Sequence, residues 1–431
     1  MKILLVNPPN CGRSIPRERY GIDFVKHIFR GEPYALEVLA GTVNDHEVRI
    51  VDLKVEPAAL ETFLVEFGPE IVGFTGVTCE ANTVLRLAAQ AKAMCNATVV
   101  VGGSHASSAP GYFNREQVDY IVVGLAGSSF RELVVALAEG RTPDGIPGVA
   151  RTRPGKEIAF RRRSYSPADL ADDWPPSYHK VSGYRESYTI PALKLKLGFV
   201  ASAYGCPFGC SFCCIASQAG GRHLTRRVGA VLRDVRLLGD IPVVRLIDAN
   251  TFADIGHAER LCGAILEEGI QKSFIADIRA DTVVSHPALL RRWKTAGLRS
   301  VIVGFEEIDG KRLRGWRKGS STETNLEAIA ALHEIGITIV GDFIISPEYG
   351  EAEFEALGTY IAKNPIDLPI LSVLTPLPGT ALYETMKDRI LIEDLDYYTL
   401  ENAILPTRLG DKVFYQRYAE LLRLCQSRAR V

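Results

Sequence analysis

Four cysteines lie within one short stretch of this chain, Tyr204-Gly205-Cys206-Pro207-Phe208-Gly209-Cys210-Ser211-Phe212-Cys213-Cys214. Cys206, Cys210 and Cys213 follow a C-x3-C-x2-C spacing. Pro207, Gly205 and Gly209 favour a loop that wraps a compact object. Structural zinc wants four closed ligands, often as two C-x2-C knuckles, and no second knuckle is present. Iron–sulfur clusters are held by cysteine thiolates. With four irons and three cysteines in the loop, one iron keeps no protein ligand there. That iron can chelate the amino and carboxylate groups of a small molecule.

The loop must be positioned by the elements around it. It follows a β-branched, apolar run at 199–203, the first strand of an alternating series with strands at 243–247, 274–276, 300–303, 338–343 and 370–374. Helical periodicity falls between them, near 225–238, 254–268, 286–296, 321–335 and 351–363. Six βα units predict a partial (β/α)6 barrel over 198–385 rather than a closed eightfold barrel. A short helical extension, 386–431, follows. Ahead of the barrel, strands at 3–6, 48–52, 71–75, 98–101 and 120–123 alternate with helices at 35–43, 58–67, 81–94 and 129–138. This predicts an α/β, doubly wound parallel sheet of Rossmann type over 1–140. The intervening 141–197 reads as a Pro-, Arg- and Ser-rich connector with one hairpin, and Arg161-Arg162-Arg163 in it reads as surface.

The cysteine spacing, with aromatic Phe212 before the last cysteine, resembles the signature of the radical S-adenosylmethionine (SAM) superfamily. The resemblance implies a [4Fe-4S] cluster on Cys206, Cys210 and Cys213 and SAM on the open iron. It further implies one-electron cleavage of SAM to methionine and a 5′-deoxyadenosyl radical, with Phe212 near adenine. Other strand ends are similar to the family's SAM-facing turns: Asp248 and Asn250 after the second strand, Arg279 after the third, Glu306 after the fourth and Ser346 after the fifth. For Arg279 with Asp281, a structural ion pair is an equal reading. Tyr204 and Asp342 are candidate proton-relay residues at the substrate.

Residues 99–107, with Gly102, Gly103 and His105, resemble the cobalamin-binding domain that precedes many radical SAM barrels, as do Asn7-Pro8-Pro9 and 119–124. The family commonly reads Gly-Glu-Gly-Glu after the fifth strand; here Gly124-Leu125-Ala126-Gly127-Ser128 stands instead. An alanine Cβ at 126 would obstruct a nucleotide tail, so cobalamin is left open at this point. The layout resembles the cobalamin-independent diol dehydratases of aminoglycoside antibiotic biosynthesis. That implies radical dehydration of an aminoglycoside-type diol, with cobalamin-dependent C-methylation of a natural product as the alternative.

Composition narrows the remaining classes. Fifty basic residues balance 51 acidic ones, which gives no electrostatic footprint for nucleic acid. No run approaches a membrane span, and no secretory signal opens the sequence. Nine cysteines, an odd number with four in nine residues, suit a cytoplasmic metal-binding protein better than a disulfide scaffold. The expected partners are a small-molecule substrate and a flavodoxin- or ferredoxin-type electron donor, with a homodimer left open.

Overall fold

The computed structural model describes residues 1–23, 30–166, 170, 174–191 and 193–429. Its first half is a six-stranded sheet. In chain order the elements are β1 (Lys2–Asn7), α1 (Ile15–Tyr20), α2 (Tyr34–Thr42), β2 (Glu47–Asp52), α3 (Leu60–Phe67), β3 (Ile71–Phe74), α4 (Ala81–Met94), β4 (Thr98–Val101), α5 (Ser104–Ser108), β5 (Tyr120–Val122), α6 (Ala126–Ala138) and β6 (Val149–Arg151). The strand order is β2-β1-β3-β4-β5-β6, parallel except for the last. Runs such as Val99-Val100-Val101 are buried on both faces, which is why they are apolar without alternation.

The second half begins with β7 (Thr189–Ile190), β8 (Leu195–Val200), β9 (Ala203–Gly205) and β10 (His223–Thr225). Then come α7 (Val228–Leu237), β11 (Val243–Leu246), α8 (Ile255–Glu267), β12 (Ser273–Ile278), α9 (Ala280–Ser285), α10 (Pro287–Thr295), β13 (Leu298–Glu306), α11 (Gly310–Gly315), α12 (Thr322–Ile335), β14 (Thr338–Ile345), α13 (Glu351–Lys363), β15 (Leu368–Val373), α14 (Ala381–Met386) and α15 (Asp411–Arg428). Six of these strands pair in parallel and in chain order, β8-β11-β12-β13-β14-β15, with β7 antiparallel at one edge. An unclosed sheet of six βα units with helices outside is a partial barrel. Helix starts are fixed by side-chain caps: Asp254, Asp309 and Ser321 each accept a backbone N–H of the first turn.

Two differences from the sequence reading have physical causes. The connector contributes β6 to the first sheet, because Val149 and Ala150 are buried against β5. The first barrel strand ends at Val200 rather than 203. The backbone N–H groups of Ser202 and Ala203 are taken by the Asp248 carboxylate at 2.6 and 2.9 Å, which leaves them out of the strand ladder. Among the described residues no helix is long and apolar enough to cross a membrane.

Candidate active site

The cysteine loop starts where β8 stops. Asp248, at the end of β11, accepts the Ser202 hydroxyl at 2.5 Å as well as the two amides. Its carboxylate therefore anchors the entry to the loop. β9 and β10 pair antiparallel, with His223 opposite Gly205, so the loop leaves and returns at the same place. Gly205 has φ +74, and a Cβ there would sit 2.1 Å from the Arg222 carbonyl oxygen. Only glycine closes this neck. Inside the loop the Cys213 N–H donates to the Cys210 carbonyl, and the Ser211 N–H to the Trp316 carbonyl at 2.9 Å. Leu382 N–H donates to the Ser211 carbonyl at 2.8 Å, which ties the loop to α14.

All three thiols are half-buried, and the loop tip, Pro207 to Gly209, is exposed. Burial pushes the Cys213 thiol up to about 12 and raises that of Cys210, while the Lys318 and Arg279 cations pull Cys210 the other way. Thiols so placed ligate as thiolates once iron supplies the positive charge. Three donors from one loop match a cluster with one open iron. Cys214 instead opens a short turn, its carbonyl accepting the Ser217 hydroxyl.

Below the loop, inward-facing residues build a charged layer in an otherwise apolar barrel. Glu306, at φ +65, pairs with Lys318 at 2.6 Å, both almost fully buried. Gly304 makes room for this pair, since a Cβ there would lie 2.3 Å from Glu306 Oε1. Arg245 pairs with Asp277, which burial raises to about 6. Asp342, beside Gly304 in the sheet, has no partner for its buried Oδ1 among the described residues. Burial and the nearby Glu306 and Asp277 carboxylates push it up to about 8. Asn250 Nδ2 is likewise buried and unpartnered. At the rim, Phe212 meets Trp316 edge to face at 5.9 Å and packs with Ile344, Leu374 and Leu382.

The first sheet presents its carboxyl edge to this barrel mouth. Between them lies a cavity of about 520 Å³. Its rim is Gly76, Val77, Gly102, Gly103, Ser104 and Gly124 on one side and Ala203, Tyr204, Ile215 and Ala249 on the other. From the rim the lining descends between the sheet, at Leu5, Gly73, Val100 and Val122, and helices α2 and α6, at Leu36, Leu39, Thr42 and Phe130. Gly73 has no side chain to fill that slot; a Cβ would approach Leu5 to 2.9 Å. Gly103, at φ +99, passes within 2.7 Å of the Gly76 backbone as judged from an added Cβ. Ala126 lines the slot without closing it. An apolar shaft beneath a glycine-lined rim fits a flat ring carrying a nucleotide tail, so the residues fit cobalamin.

Helix α5 joins the two halves. The Ser108 hydroxyl lies 3.1 Å from that of Ser217, behind the cysteine loop. Gly379, at φ +83 after β15, backs onto Ser108, where a Cβ would be 2.6 Å from its carbonyl oxygen.

The sequence-derived candidates fall into three groups. Cys206, Cys210, Cys213, Phe212, Glu306 and Asp342 come together at the barrel mouth. Tyr204, Gly102 and Gly103 meet at the cavity instead. The third group makes contacts within the fold. Asp248 holds the loop entry; Asn250 Oδ1 accepts the Phe252 amide, and the Ser346 hydroxyl the Glu348 amide, each in its own turn. Arg279 forms the ion pair with Asp281 at 2.8 Å, donates to the Lys318 carbonyl and stacks 3.9 Å above the Phe208 ring. His105 is buried, held to Thr78 and boxed by Tyr112 and Phe113, and burial lowers it to about 4. Lys318, Trp316, Arg245 and Asp277 were missed. A charge in the middle of Val243-Val244-Arg245-Leu246 and of Phe274–Ile278 was the available signal; Lys318 and Trp316, in a loop, gave none.

Comparison with known proteins agrees with this geometry. Residues 25–134 match the B12 binding domain and residues 200–361 the Radical SAM superfamily. An uncharacterized methyltransferase of Pyrococcus horikoshii is 30% identical over 401 residues, 89% of this chain and 83% of that protein. The hopanoid C-3 methylase of Methylococcus capsulatus is 27% identical over 406 residues, 91% of this chain and 76% of its own. The fold is shared with the radical SAM methyltransferase TsrM of Kitasatospora setae, solved with cobalamin and a [4Fe-4S] cluster. The TM-score is 0.72 at 20% identity, covering 98% of this chain and 90% of that one. The chain belongs to the radical SAM superfamily, as an enzyme with an N-terminal B12-binding domain whose cofactors are a [4Fe-4S] cluster, SAM and cobalamin.

Proposed function

We propose that this enzyme is a cobalamin-dependent radical SAM C-methyltransferase acting on a small natural product. The observation that carries the reading is the cavity shared by the glycine rim of the first sheet and the barrel mouth. Methylase relatives along most of the chain support it over dehydration of an aminoglycoside diol. When bound, the cluster with SAM supplies a hydrogen-abstracting radical and cobalamin supplies a methyl group.

The chain's own residues bind, orient and keep water out. Cys206, Cys210 and Cys213 hold the cluster. Phe212, Trp316 and Ile344 offer an apolar seat for adenine at the rim. Glu306, fixed by Lys318, presents its carboxylate to a ribose hydroxyl or an ammonium group. Asp342 keeps its proton at neutral pH and donates from its carboxyl to an oxygen of SAM or substrate. Tyr204, Ile247 and Ala249 wall the cavity on the barrel side, where the reacting carbon must be held close to both reagents.

The test is anaerobic reconstitution with iron, sulfide and hydroxocobalamin, followed by desalting. Stoichiometric corrinoid in the visible spectrum, with 5′-deoxyadenosine formed from SAM under dithionite, is the expected result. SAM cleavage without retained corrinoid would return the dehydration reading.

A further inference from the structure

SAM cleavage needs one electron from outside the molecule, and one stretch beside the cysteine loop is strongly basic. The segment Lys311-Arg312-Leu313-Arg314-Gly315-Trp316-Arg317-Lys318 carries five cations and no acid in eight residues. Two of the five are spent inside: Arg312 on Glu307 and Glu353, Lys318 on Glu306. Lys311, Arg314 and Arg317 are exposed; Lys311 lies near Asp309, and no acidic partner for Arg314 or Arg317 is seen among the described residues. In a chain of net charge −1, an unneutralised basic run stands out.

Its position is equally specific. Arg314 and Arg317 flank Trp316, whose carbonyl accepts the Ser211 amide between Cys210 and Cys213. The exposed tip of the same loop presents Phe208, 38% exposed, with the Arg279 guanidinium over its ring. On the neighbouring α14, the Glu384 carboxylate is already occupied by Lys387. An exposed basic run held against the cysteine loop is the composition of a docking patch for an acidic protein.

We propose that Lys311, Arg314 and Arg317, on the segment that braces the cysteine loop through Trp316, form the docking surface for an acidic one-electron carrier protein. The carrier is oxidised by one electron; SAM is reduced by one, its carbon–sulfur bond breaking to methionine and the 5′-deoxyadenosyl radical. The inference rests on the radical SAM chemistry proposed above and adds the face through which the electron enters.

The test compares two reductants on the reconstituted full-length enzyme. Reduced flavodoxin, with reduced ferredoxin in parallel, reads docking; dithionite, a small molecule, bypasses it. In Arg314→Glu combined with Arg317→Glu, the carrier-driven rate of 5′-deoxyadenosine formation falls about ten-fold or more at low ionic strength. The dithionite-driven rate and the cluster absorption stay at wild-type levels. In the wild type the carrier-driven rate falls as salt rises; in the variant that dependence is largely lost. Equal carrier-driven rates in the two proteins overturn the proposal. So does a parallel loss with dithionite, which would place these arginines in the cluster's own machinery, and so does a wild type that draws electrons from neither carrier. Dithionite-driven SAM cleavage tests the chemistry independently, so the two failures are told apart.

Discussion

Asp342 is a carboxylate whose chemistry departs far from its type. Its proton is retained up to about 8 because the charged form would sit beside Glu306 and Asp277 in a buried layer. Between the ordinary carboxylate range and that value, the folded chain holds a proton that the unfolded chain releases. The resulting stability is fully present at low pH and is lost as pH rises through about 8. Asp342→Asn has no such proton to lose. Urea unfolding of the cofactor-free protein should show the variant gaining on the wild type between roughly pH 5 and pH 8; a constant difference would disprove the assignment. Asp342 was visible in the sequence as an acid inside an apolar strand. Its partners were not: Lys318 reaches Glu306 from a loop, and no periodicity marks it. The cysteines needed no structure, because three ligands within one loop are fixed by sequence spacing alone.

At the scale of elements, strands and helices with strong periodicity were legible to within a few residues, and what escaped was decided by tertiary partners. β8 stops at Val200 because Tyr34 takes the amide of Ala201 and Asp248 those of Ser202 and Ala203, the last two across about 46 residues that no local pattern signals. The same contact is the hinge point of the cysteine loop. Asp248→Ala leaves two buried amides and a hydroxyl without an acceptor. It should cost about 3 kcal/mol in urea unfolding and lower the iron retained after reconstitution. Asp248→Asn keeps an acceptor and should lose less on both measures. The short strand β6 was hidden for a similar reason: three residues carry too little pattern, and only burial against β5 makes them a strand.

For the whole molecule, the sequence indicated two domains in order but not what lies between them. Ala126 in place of a glycine read as an obstruction, yet the shaft beneath it stays open because Gly73 and Gly127 leave room beside it. Filling that shaft tests its purpose. A Cβ at Gly127 meets only Thr42, at 3.6 Å, so Gly127→Leu begins its side chain without a clash and then occupies the slot. Corrinoid retained after desalting should fall about ten-fold or more, the penalty of roughly 1.5 kcal/mol expected from overpacking a site. Iron and sulfide content should be unchanged; a joint loss would mean that the domain had failed to fold.

The contact of Ser108 with Ser217 and with the Gly379 turn has a geometric consequence. One short helix runs from the glycines that face the corrin site to the back of the cysteine loop, so the spacing between the two reagents is set as by a caliper. A molecule that must reach both reagents at once then meets a gap whose width the protein itself holds fixed.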